Sequence, residues 1–153
     1  MCISYHFRIT NDFIIIILAS LAISGCGVPK VNMHKEVEAN KQAVIQVEER
    51  EQARGQLTIA QVDGKETVGL LSRLFNGGNY AGEVSVLSGK HRIIARIVHF
   101  NSYAWGYLWL VADSGETYIV KARTEGYHTK MWLENARNGQ KVGGVVGSKD
   151  EPK

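Results

Sequence analysis

The chain has 153 residues, a formal net charge of +3 and only two cysteines, and 44% of it is hydrophobic. That length holds one domain with an ordinary packed core. So small a charge, with no basic block, excludes the electrostatic footprint of a nucleic-acid binder. Both cysteines, Cys2 and Cys26, fall in the first 26 residues. The region that follows therefore folds without a disulfide and relies on packing alone.

Phe13 to Ile23 is an apolar run broken only by Ser20. It is too short to span a bilayer, which takes about 20 residues, and it has the length of a signal-peptide core. Arg8 is the single basic side chain ahead of it. Ile23-Ser24-Gly25-Cys26 then resembles a bacterial lipobox, with an aliphatic residue and two small ones before a cysteine. The resemblance implies cleavage between Gly25 and Cys26 and a diacylglycerol thioether on the Cys26 sulfur. It also implies palmitate-type acylation and permanent membrane attachment, because one chain holds only reversibly and several hold firmly. Gly27 stands where an Asp signals inner-membrane retention, so the same resemblance places the lipoprotein on the outer membrane, facing the periplasm.

Residues 26–54 are expected to form a lipidated tether and a helical or flexible spacer. Met33 to Arg54 is rich in Glu, Lys, Gln and Ala and has no Gly or Pro, a composition of good helix formers. Met33, Val37, Val44 and Val47 suggest a narrow apolar stripe on it.

From Gly55 the texture changes to short alternating runs punctuated by glycine. Gln56 to Val62 ends at the hairpin signal Asp63-Gly64, with Glu66 to Leu71 as its expected partner. Asn76-Gly77-Gly78-Asn79 marks a turn. Glu83 to Leu87 and Lys90 to Phe100 are strands. The odd face of the second, with His91, Ile93, Ala95 and Ile97, is the core candidate. Trp105 to Ala112 is apolar on both faces. Thr117 to Arg123, Thr129 to Leu133 and Lys141 to Val146 complete the pattern, with Asn138-Gly139 as a further hairpin signal. Residues 55–146 are thus expected to form a mainly β domain, an antiparallel sandwich or small barrel. Residues 147–153 are expected to be a frayed tail.

Val62-Asp63-Gly64-Lys65, Val84-Ser85-Val86-Leu87-Ser88-Gly89-Lys90-His91 and Asp113-Ser114-Gly115-Glu116-Thr117-Tyr118 resemble small β-sandwich domains of bacterial lipoproteins, in the style of PEGA and transthyretin-like modules. Ser88 replaces a common proline of that pattern. The resemblance implies a module that binds or spaces and supplies no catalytic residue.

The chemistry-bearing residues agree with this. His91 and His99 lie eight residues apart on one strand face, about 27 Å, too far to share a metal ion. No HExxH, CxxC, GxSxG or phosphate-loop pattern occurs. No enzyme activity, cofactor or metal is expected. Tyr103, Trp105, Tyr107 and Trp109 alternate along one strand, and Trp132 stands opposite Met131 and Leu133 in parity. If the odd face points outward, these rings are a candidate partner or ligand surface. If it points inward, they fill the core instead.

Two classes of function follow. One is a non-catalytic, membrane-anchored lipoprotein displaying a β-sandwich to an envelope protein partner. The other is a glycan- or peptidoglycan-binding lipoprotein that uses the aromatic strand. A lysozyme-inhibitor-type role ranks below both, because such inhibitors carry a disulfide.

Overall fold

The computed structural model describes residues 29–49, 55–68, 80–99 and 102–153. The expected signal peptide, Cys26 and the turn expected at 76–79 lie outside them. The described chain is a two-sheet β-sandwich. Its strands are β1 (Lys30–Asn32), β2 (Gln42–Val47), β3 (Gln56–Val62), β4 (Lys65–Glu66), β5 (Glu83–Leu87), β6 (Gly89–His99), β7 (Ser102–Ala112), β8 (Thr117–Glu125), β9 (His128–Asn135), β10 (Lys141–Val142) and β11 (Gly144–Val145). The first sheet runs β1-β5-β2-β8-β9-β10 and the second β11-β7-β6-β3-β4. Most pairs are antiparallel; β1 with β5 and β2 with β8 are parallel.

The core lies between the sheets and follows strand parity. The second sheet contributes Ile93, Ala95 and Ile97 from β6 and Leu108, Leu110 and Ala112 from β7. The first contributes Ala43 and Ile45, Val84 and Val86, Tyr118 and Val120, and Leu133. On β3 the parity slips. The register with β6 shifts between Ile59 and Gln61, so Ala60 is a bulge residue, and Ile59 and Val62 both reach the core. Thr67 plugs this bulge. Its hydroxyl donates to the Ile59 carbonyl and accepts from the Ala81 amide at 3.2 Å. The freed backbone groups are thereby satisfied inside the protein.

The spacer expectation is corrected here. Of the expected spacer, residues 33–49 form no α-helix but hold one 3-10 turn, Ala39–Lys41, and then β2; residues 50–54 lie outside the described residues. β2 lies between β5 and β8, and Ala43 and Ile45 are fully buried. Two-sided ladder pairing and this burial outweigh the helix propensity of the flanking charged residues. The sandwich therefore begins at Lys30 and not at Gly55. Of the expected partner Glu66–Leu71, only Glu66 pairs with β3, together with Lys65 before it, and positions 69–71 fall outside the described residues.

Residues 147–153 are not frayed. Glu151 accepts from the Gly147 amide at 2.6 Å and pairs with Lys90 at 3.0 Å and Arg92 at 2.9 Å. Lys90 also donates to the Pro152 carbonyl. Charge complementarity between one carboxylate and two strand cations docks the tail on the second sheet.

Candidate functional site

The two faces of β7 separate by size. Its even positions, Ala104 to Ala112, turn inward, opposite the inward odd positions of β6. Its odd positions turn outward, so the reading that places Trp105 and Tyr107 in the core is overturned. Tyr103 is 66% exposed, Trp105 40% and Tyr107 54%. The inward face has no room for them, because a side chain at Gly106 would meet Met131 of the opposite sheet.

Trp109 shares their parity but is covered. β11 runs alongside it with Gly144 against the indole, whose Nε1 donates to the Ser148 hydroxyl at 3.2 Å. Trp132 does not join the group. It faces outward from the first sheet, where Nε1 donates to Glu134 at 2.6 Å and the Lys141 ammonium lies 5.0 Å from the ring centroid. The five aromatic residues thus resolve into three exposed rings, Tyr103, Trp105 and Tyr107, one covered ring, and one ring on the far side of the sandwich.

Two of the exposed rings, Tyr103 and Trp105, cluster with Tyr80 around Arg96, which stands opposite Trp105 across the β6–β7 ladder. Its guanidinium carbon lies 5.5 Å from the Trp105 ring centroid, 5.6 Å from Tyr80 and 5.7 Å from Tyr103. Tyr80 and Tyr103 each meet Trp105 edge-on, at 6.4 and 6.3 Å, a favoured ring geometry. Arg96 Nε is buried with no hydrogen-bond partner. Cation–π attraction therefore holds this charge, at roughly 0.5–1 kcal/mol per exposed contact. Arg96 and Tyr80 escape a search for aromatic alternation. The legible signal was the outward parity of Arg96 beside Trp105.

The two outer faces differ in character. On the first sheet Lys121 pairs with Glu134 at 2.8 Å, which raises the Lys121 pKa and lowers that of Glu134, and Lys30 pairs with Glu83 at 2.9 Å. A cleft of about 1000 Å³ beside these pairs is lined by Val47, Glu48, Leu57 and Lys121, and its cations are already neutralised. The outward cations of β6 are Lys90 and Arg92, which the tail carboxylate Glu151 pairs, and Arg96, which lies among aromatic rings.

His91 is structural. Its Nδ1 lies 2.7 Å from Asp63 and its Nε2 2.8 Å from the Leu87 carbonyl. Asp63 also accepts from the Arg92 amide at 2.8 Å, from a turn conformation with φ of 51°. Among the described residues no group of His, Cys, Asp and Glu is placed to hold a metal ion. No helix among them is long and apolar enough to cross a membrane. No protein-family model, curated protein or solved structure matches this chain.

Proposed function

We propose that the chain is a non-catalytic lipoprotein of the bacterial cell envelope, anchored through lipid on Cys26, whose sandwich contacts a protein partner through the outer face of its second sheet. The observation that carries this is the Arg96 cluster: Tyr80, Tyr103 and Trp105 gathered round one cation on an open face. Trp, Tyr and Arg are the residues that dominate binding energy at protein interfaces, and exposed aromatic patches on small domains mark contacts. The lipobox and the sequence resemblance to PEGA-like modules support the same reading.

The corrected domain boundary changes the display geometry. Three residues separate Cys26 from Lys30, and that link spans at most about 14 Å. The sandwich then sits close against the bilayer and not on a long spacer.

The test is fractionation of cells expressing wild type and Cys26→Ser, with intact mass of the mature wild-type form. Membrane-bound, acylated wild type beside soluble Cys26→Ser supports the anchor; a soluble wild type starting elsewhere refutes it. A glycan ligand is the second reading, favoured by the exposure of Tyr103 and Tyr107. Co-sedimentation with purified sacculi, lost in Tyr107→Ala, would select it.

A further inference from the structure

We propose that the partner is a second copy of the chain, joined edge to edge through the open half of β7, so that the Tyr103 and Trp105 rings of the two copies meet on the outer face. The inference rests on reading the Arg96 cluster as a contact surface, and it names the occupant.

The Tyr107 carbonyl accepts from Val146 on the β11 side. In an antiparallel ladder the N–H and C=O of one residue point the same way, and the direction alternates along the strand. The pairing of β6 with β7 runs without a bulge from His99 and Ser102 to Gly89 and Ala112. Tyr103 and Trp105 therefore also direct their backbone groups away from β6, toward the β11 side. β11 does not reach them. It pairs with Leu108 and Trp109, and Gly147, at φ of 82°, turns the chain away. Among the described residues no strand pairs with Ser102–Gly106 on that side.

An open edge of this kind is a template for another strand. Native edges are commonly guarded by Lys or Pro; Ser102–Gly106 contains neither and carries Tyr103 and Trp105 instead. The window is bounded by the start of β7 at Ser102 and by the Val146 contact at Tyr107, so its centre is Ala104. A second β7 laid antiparallel about a two-fold axis at Ala104 sets Tyr103 opposite Trp105 of the other copy, and Trp105 opposite Tyr103. All the outward amides and carbonyls of these residues then find partners. The same operation brings the aromatic rings into directly opposed cross-strand pairs on the outer face. Ala104, the residue on the axis, is small enough for the close approach of a non-hydrogen-bonded pair. The window is self-complementary in backbone and side chain alike, as a two-fold interface requires. Anchored copies also share one membrane surface, which raises their effective concentration.

The test is a cysteine scan of the full lipidated chain in isolated membranes under mild oxidation. Across the axis the two Ala104 Cα atoms lie about 4.5 Å apart, within disulfide range. The two Ser102 positions lie about 14 Å apart, beyond it. Ala104→Cys is expected to give a disulfide-linked dimer and Ser102→Cys none, and Trp105→Lys added to Ala104→Cys is expected to abolish the link. Equal or absent dimer from both cysteines overturns the proposal. An Ala104→Cys disulfide to a different protein overturns the second copy but leaves the contact-surface reading standing. Loss of membrane association in wild type is a separate failure, that of the anchor.

Discussion

Arg96 and Trp105 face each other directly across β6 and β7, with the guanidinium 5.5 Å from the ring centroid. The pair stands on the side of the sheet that the core does not use. Under the proposed contact role, its binding contribution and its folding contribution therefore separate. Trp105→Ala is expected to lower stability by about 1–2 kcal/mol, because the residue is 40% exposed and its cation–π contact is weak. The same change is expected to remove partner contact. Denaturant midpoints alongside crosslinking yield check both; a large stability loss would assign Trp105 to the core.

The His91–Asp63 bridge behaves oppositely. His91 is buried, with both ring nitrogens on oxygen acceptors. His91→Ala strands the Leu87 carbonyl and leaves a cavity, costing about 2–4 kcal/mol. Asp63→Asn tolerates the positive φ of that turn but loses the charge, and is expected to cost about 1–2 kcal/mol. Urea unfolding of the two variants gives the ranking. Equal stability of His91→Ala and wild type would contradict it.

Acid should release the C-terminal tail. The Gly147 amide, with Lys90 and Arg92, holds the Glu151 pKa down at about 2. A depressed carboxylate stabilises the fold above its unfolded value, near 4.5, and that stability is lost as pH falls through the folded value. Between about pH 4.5 and 2, wild type is expected to lose more stability than Glu151→Gln. Trp109 fluorescence, beside Ser148, reports the undocking. Parallel pH profiles for the two proteins would show that the tail is not held by this charge.

Gly143 tests the cover over Trp109. It has φ of 65°, and a Cβ there would run into the Trp109 carbonyl. Gly143→Ala is expected to destabilise β11 by more than about 1 kcal/mol and to raise the exposure of Trp109 to acrylamide quenching. Unchanged quenching would mean that β11 is not what shields the ring.

The legible parts of the fold were those where one parity was apolar. His91, Ile93, Ala95 and Ile97 declared the inner face of β6 in this way. β7 did not, because both its faces are apolar; the register with β6 decides which rings point out. β2 was missed. Its charged neighbours read as helix, although Ala43, Ile45 and Val47 repeat with the period of a strand, and its burial comes from β5 and β8, distant in sequence. Arg96 and Tyr80 come together only through the fold, and Trp132 is assigned to the opposite face only once β8 and β9 are paired. The docking of Glu151 onto Lys90 and Arg92 joins residues about 60 positions apart, beyond any local pattern.

The most direct measurement is site-specific photocrosslinking in intact cells, comparing a benzophenone side chain at position 105 with one at position 132. The expected result is a discrete protein adduct from 105, identified by mass spectrometry, and none from 132, on the far face of the sandwich. Adducts from 132 alone, or none from 105 at native abundance, would contradict the assignment of the Arg96 face as the contact surface.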